Sequence, residues 1–337
     1  MPRLPGLQAL RAAAALMVLI GHAMAEAAHY IGPLPGSGLP WTRGVDLFFV
    51  ISGFVIALSA ARVPPDPAGA VDFLRRRALR VVPLYYVFTT LMVAVLLAMP
   101  SGVKDTPLDS AQIVHSYLFL PYERPDGRIA PVLSLGWTLN YEVGFYAVVA
   151  AALLLRRGLG LVLAVLSALV VAGLAWEPRQ PGAVFWTNPI VFEFLFGMAL
   201  ARVWRAGVRL PAPGLAAGGL AAGVVLLVAL HETALPRVVA AGGPAALIVA
   251  AVTLCRPPPL PGLALGEASY ALYLSHRFVL RALTLLLLPV LPAGSGAAVV
   301  YTASAVAASV VIALLVHRHL ERPLMRALGQ PLHGRPA

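Results

Sequence analysis

The apolar residues of this chain come in runs of about 20 separated by short polar clusters, the length a helix needs to cross the hydrocarbon layer of a bilayer. Ten such runs can be read, at approximately 10 to 29, 44 to 61, 84 to 100, 132 to 155, 159 to 176, 184 to 203, 214 to 231, 236 to 255, 263 to 288 and 297 to 317. Composition agrees: of 337 residues 60% are hydrophobic and only 12% charged, with a mean hydropathy of +0.84, against about 25% charged in soluble domains. The expected fold class is all-α, a polytopic integral membrane protein of about ten transmembrane helices. A soluble enzyme, a disordered chain and a disulfide scaffold are excluded, the last because Cys255 is the only cysteine. Two spans are irregular. Gly242, Gly243 and Pro244 interrupt the eighth, and His276, Arg277 and Arg281 lie inside the ninth.

The net charge of +11 would suggest nucleic acid in a soluble protein, but in a membrane protein Lys and Arg first set orientation. With ten spans, 17 of the 25 Lys and Arg fall on the side of the N-terminus, six on the other, and Arg277 and Arg281 within the membrane. The positive-inside rule then places both termini in the cytoplasm. No nucleic-acid partner is expected; membrane lipids are. The first span is long, contains His22 and lacks a small-residue cleavage site, so it reads as a retained helix. No loop is long enough for a separate folded domain. Residues 1–329 are expected to form one integral-membrane domain and 330–337 a short disordered cytoplasmic tail.

An ionisable group inside the bilayer is costly and usually faces the protein interior or a water-filled cavity. His22, Glu142, Glu193 and His276 are such groups. Arg11 and His22 lie 11 positions apart, which on a helix is about 20° past three full turns and about 16 Å of rise, so both point to one face. Glu142 stands about ten residues from the outer end of the fourth span, hence about 15 Å deep, the depth of His22. A carboxylate beside an imidazole can orient the ring and stabilise the imidazolium, as a general base requires. The plainer alternative is that each is hydrogen-bonded within the bundle. Trp137, Tyr141 and Tyr146 read as packing and interface residues.

The basic loop from 62 to 83 holds FLRRRALRVVPLYY, where Arg77 and Arg80 are one helical turn apart before Pro83 and the third span. The pair could hold a phosphate by charge-assisted hydrogen bonds, or it could serve orientation or contact anionic lipid. No His, Cys, Asp or Glu set has metal-ligand spacing, so no metal is expected.

Six segments in order resemble the acyltransferase-3 family of integral-membrane acyltransferases. They are LQALRAAAALMVLIGH, with ten residues between Arg11 and His22, then GVDLFFVISGF at 44 to 54, RALRVVPLYY at 77 to 86, WTLNYEVGFY at 137 to 146, FLFGM at 194 to 198 and GEASYALYLSH at 266 to 276. The resemblance implies transfer of an acyl group, often acetyl from acetyl-CoA, to a hydroxyl on a carbohydrate or other cell-envelope acceptor. No permanently bound cofactor is implied, acyl-CoA being the donor substrate, and the expected location is a bacterial inner membrane. By matching motifs, His22 and Glu142 become the catalytic residues, while Arg11, Arg77 and Arg80 become the donor-binding ones. The chain departs from the usual pattern at Gln8, Ala12, Ser275 and Arg277.

Spacing is compatible with that chemistry. A CoA phosphate near Arg11, Arg77 and Arg80 would leave the pantetheine arm a distance comparable with the 16 Å or so from Arg11 to His22. Neutral His22 would then deprotonate an acceptor hydroxyl that attacks the thioester, with Glu142 stabilising the imidazolium. A covalent acyl-histidine relay stays open as a second route. A proton-coupled secondary transporter, with His22, Glu142, Glu193 and His276 as a proton path, is the rival from another class.

Overall fold

The computed structural model describes residues 4–99, 109–210, 212–255 and 262–329. The tail expected at 330–337 lies outside the described residues. In chain order the helices are α1 (Pro5–Tyr30), α2 (Gly44–Ala60), α3 (Pro67–Ala98), α4 (Ser110–Tyr117), α5 (Trp137–Leu154), α6 (Gly158–Trp176) and α7 (Pro181–Trp186). They continue with α8 (Phe192–Arg205), α9 (Pro213–Ala229), α10 (Gly243–Leu254), α11 (Leu263–Glu267), α12 (Ser269–Leu287), α13 (Ser295–Val316) and α14 (Arg322–Ala327). No strand occurs among the described residues, only two isolated bridges. Lipid offers no partner for backbone N–H and C=O groups, so apolar spans satisfy them along a helix.

All ten apolar runs fall on helices, the eighth on a π-helical stretch, Val238–Gly242, that leads into α10. Seven segments among the described residues are long and apolar enough to cross a membrane: Pro5–Tyr30, Trp41–Ala60, Pro67–Ala98, Ser134–Leu154, Gly158–Trp176, Pro181–Arg205 and Ser295–Ala327. The chain is a multi-pass helical membrane protein.

One local expectation is corrected. The basic segment before Pro83 is not a loop, because α3 begins at Pro67 and runs through it. Asp66 caps that helix by accepting the Gly69 N–H at 2.7 Å, and Pro67 fits the first turn, where its missing N–H costs nothing. The fourth span opens with a 3-10 turn at Ser134–Gly136 and continues as α5, which puts Glu142 in the second turn of α5, eight residues after Ser134.

The helices form two compact units, with boundaries inside α2, α8 and α14. One comprises the described residues up to Val55 together with Phe196–Pro323, the other Ile56–Leu195 with the described residues from Leu324 onward.

The first unit is organised on α1, which packs against α10, α11, α12 and α13. Leu19, Ala23, Ala27, Leu272, Leu280 and Tyr301 are buried in its apolar core. Between membrane helices the packing force comes from close approach, which small residues permit. A Cβ on Gly44 would lie 2.3 Å from the Ala14 carbonyl oxygen, and one on Gly266 2.1 Å from that of Gln8. The start of α2 and the end of α11 therefore press directly on the α1 backbone, on either side of Arg11 in the sequence. Asp46, fully buried in the first turn of α2, accepts two hydrogen bonds from Arg237, Nε and Nη2 each at 2.9 Å. Losing Arg237 would strand the buried Asp46 carboxylate without a counter-charge.

In the second unit α5 packs against α3 and α6. Phe73 of α3 meets Tyr146 of α5 edge to face, and a Cβ on Gly144 would lie 2.3 Å from the Trp186 ring. The segment before α5 is pinned by polar contacts. Tyr122 donates to Asp109, and Arg128 donates to Asp126 from its side chain and backbone, holding that carboxyl down to about 2.

Candidate active site

Because α1 is continuous from Pro5 to Tyr30, Arg11 and His22 keep the separation and common face expected of them. The partner of His22 within its own unit is His276 on α12. His22 Nδ1 lies 2.9 Å from His276 Nε2, and the ring planes are 10° apart, so the imidazoles meet edge to edge. His276 is 1% exposed, and its Nδ1 lies 3.0 Å from the Leu272 carbonyl oxygen one turn earlier.

With both rings neutral, these contacts fix where the protons sit. A carbonyl oxygen can only accept, so His276 Nδ1 carries a hydrogen and donates it. Neutral His276 then has a lone pair on Nε2, and His22 must donate to it from Nδ1. The basic lone pair of His22 is left on Nε2, the atom that must face an acceptor hydroxyl if this histidine is a base.

The second unit gathers Arg77, Arg80 and Glu142. Arg77 donates to the Ser59 hydroxyl, and its guanidinium carbon stands 5.9 Å from the Phe73 ring centroid and 6.0 Å from that of Tyr146. Tyr146 in turn donates to Glu142 Oε1 at 2.5 Å. Arg80 lies half-buried one turn further along α3. The arrangement is a guanidinium held by a hydroxyl and two aromatic rings, with a carboxylate behind the second ring. Arg stacks in this way and still presents donors to a phosphate. Glu193 is fully buried in the first turn of α8.

The structure thus brings Arg77 together with Glu142 and its neighbour Tyr146, and brings His22 together with His276. Sequence reasoning missed Tyr146 as a polar group and missed the partner of His22. The first had a signal in the i, i+4 spacing of Glu142 and Tyr146, which places the two side chains on one helix face. The second had only the presence of two ionisable histidines in apolar spans.

Fold and composition define a polytopic membrane protein with ionisable groups inside its helical units. Residues 4–318 match the family described as Acyltransferase domain. The chain belongs to the acyltransferase-3 family and is a membrane acyltransferase. It is 36% identical over 293 aligned positions to the exopolysaccharide production protein ExoZ of Rhizobium meliloti, covering 84% of this chain and 89% of that one. It is 30% identical over 379 aligned positions to the acyltransferase MdmB of Streptomyces mycarofaciens, covering 97% and 93% of the two chains. No solved structure matches it. Membership sets aside the transporter reading.

Proposed function

We propose that the protein transfers an acyl group, acetyl in the preferred reading, from cytoplasmic acyl-CoA to a hydroxyl of a carbohydrate or other cell-envelope acceptor, with His22 as general base. The observation that carries this reading is the hydrogen-bond chain from Leu272 O through His276 to His22 Nδ1, which leaves His22 Nε2 basic. Nε2 takes the hydroxyl proton as the acceptor oxygen attacks the thioester carbonyl. The tetrahedral intermediate collapses with cleavage of the C–S bond, and the imidazolium returns its proton to the CoA thiolate. The products are the acyl ester and CoA thiol, so protons and electron pairs balance. The name of the ExoZ relative favours a glycan acceptor. The excess of Lys and Arg expected on one side supports cytoplasmic termini, and the location assigned from the family resemblance is a bacterial inner membrane.

Arg11, Arg77 and Arg80 are assigned to the phosphates of the donor. Arg77→Ala or Arg80→Ala is expected to raise the apparent KM for acetyl-CoA about tenfold or more, since a hydrogen bond to a charged group contributes about 1.5–3 kcal/mol. Initial rates over a donor series check this, and an unchanged donor dependence in both variants would return the pair to a topological role. Glu142 is assigned to the reaction through its negative charge. Glu142→Gln keeps an oxygen for Tyr146 and removes the charge, so turnover at saturating donor should fall at least tenfold with little change in donor binding. A Gln variant with wild-type turnover would make Glu142 structural. The reaction as a whole is tested by mass spectrometry of cell-envelope glycans from strains with and without the gene. Loss of an acetyl substituent with the gene is expected; identical glycan profiles would contradict a glycan acceptor.

A further inference from the structure

Two opposite charges share the second unit without pairing directly. Arg77 on α3 interacts electrostatically with Glu142 on α5, yet no ion pair joins the two among the described residues. The Tyr146 hydroxyl links them instead. It donates to Glu142 Oε1 at 2.5 Å, and Arg77 interacts with it as well. Glu142 and Tyr146 stand four positions apart on α5, hence on one helix face, and Phe73 stands one turn before Arg77 on α3. Phe73 and Tyr146 are both buried and meet edge to face with centroids 6.2 Å apart. The Arg77 guanidinium carbon lies 5.9 Å from the first ring centroid and 6.0 Å from the second. Packing therefore fixes the Tyr146 ring, and with it the place of the hydroxyl.

The protons show what that hydroxyl does. Arg77 can only donate, an ionised Glu142 can only accept, and a phenol can do one of each. Brought together without the phenol, guanidinium and carboxylate favour a forked pair of parallel N–H···O bonds. Such a pair would take up the N–H groups that a phosphate needs, and away from water its attraction is strong. With the Tyr146 proton on Oε1, the carboxylate has a donor that is not Arg77, and the phenol oxygen keeps lone pairs for the guanidinium. Ser59 on α2 takes a second hold of Arg77 by accepting from Nη2. Arg80, one turn further along α3, repels Arg77 and would itself gain from a nearby anion.

We infer that Tyr146 is a positioning residue for the acyl donor: its hydroxyl occupies Glu142 and keeps the Arg77 fork from closing on that carboxylate, which leaves N–H groups for a donor phosphate. The inference rests on the assignment of Arg77 to acyl-CoA in the acyl-transfer reading. It is tested by equilibrium binding of tritium-labelled CoA, which cannot turn over, to the full chain in nanodiscs. Wild type should bind saturably and Arg77→Ala should bind more weakly. Tyr146→Phe keeps the ring and removes the hydroxyl, so Kd should rise about tenfold as Glu142 captures Arg77. Adding Glu142→Gln to Tyr146→Phe removes the capturing charge, and Kd should return to within about threefold of wild type. A packing role for Tyr146 would give no such recovery. An unchanged Kd in Tyr146→Phe, or equal losses in the single and double variants, overturns the positioning role. A Tyr146→Phe protein that does not fold makes the hydroxyl structural and overturns it too. Saturable binding that Arg77→Ala leaves intact also removes it, while leaving acyl-CoA as the donor. Wild type that does not bind CoA at all strikes the acyl-CoA reading itself and takes this inference with it.

Discussion

His22→Ala is expected to lower acyl-transfer turnover by a factor on the order of 10²–10⁴, the usual contribution of a positioned general base. Membrane insertion and acyl-CoA binding should persist, because the phosphate contacts assigned to Arg11, Arg77 and Arg80 do not involve this ring. His22 is half-buried on a helix whose core contacts come from Leu19, Ala23 and Ala27, so Ala at this position leaves that packing in place. Turnover and equilibrium binding of labelled acetyl-CoA, measured on the same detergent-purified preparation, separate the two effects. A well-folded variant with near-normal turnover would remove His22 from the chemistry.

The second large effect is expected at His276, which under the proposed mechanism acts through His22 and is a positioning residue. His276→Phe keeps an aromatic ring of similar shape but offers no lone pair, so the His22 Nδ1 hydrogen loses its acceptor and the tautomer with a basic Nε2 loses its advantage. Turnover should fall about 10²-fold. His276→Gln can place an amide oxygen toward Nδ1, and it should recover most of that loss. The 15N chemical shifts of the imidazole nitrogens give a readout that a purely structural role would not move. Wild type should show His22 protonated at Nδ1 and His276 protonated at Nδ1, and His276→Phe should show His22 distributed between tautomers. Equal turnover in the Phe and Gln variants would contradict the positioning role of His276.

How much of this was legible in the sequence follows from which interactions are local. Bilayer thickness sets a length that appears directly as apolar runs, so ten helical positions could be read without any tertiary information. The start of α3 was not found, because the basic residues 75–80 break the apolar pattern while Asp66 and Pro67, the helix-start signals, stand well before it. Arg11 and His22 were legible because one helix fixes both their spacing and their face. Glu142 was legible as a carboxylate inside an apolar span, but its bond to Tyr146 was hidden by the ordinary use of Tyr as an interfacial residue. The Asp46–Arg237 pair joins residues 191 positions apart, and no local pattern connects them. The same holds for His22 and His276, 254 positions apart, where a single sequence shows two costly groups without showing that each offsets the other's burial.

The central claim is that this membrane protein activates a hydroxyl against acyl-CoA with His22 as the base. Its most direct test is the appearance of free CoA thiol when protein in nanodiscs is given acetyl-CoA and a glycan extract from cells lacking the gene, with wild type and His22→Ala measured side by side. Wild type should release thiol in step with the acetyl group gained by the glycan fraction, and the His22→Ala protein should release essentially none while still binding acetyl-CoA. Equal thiol release and equal glycan acetylation by the two proteins would contradict the account.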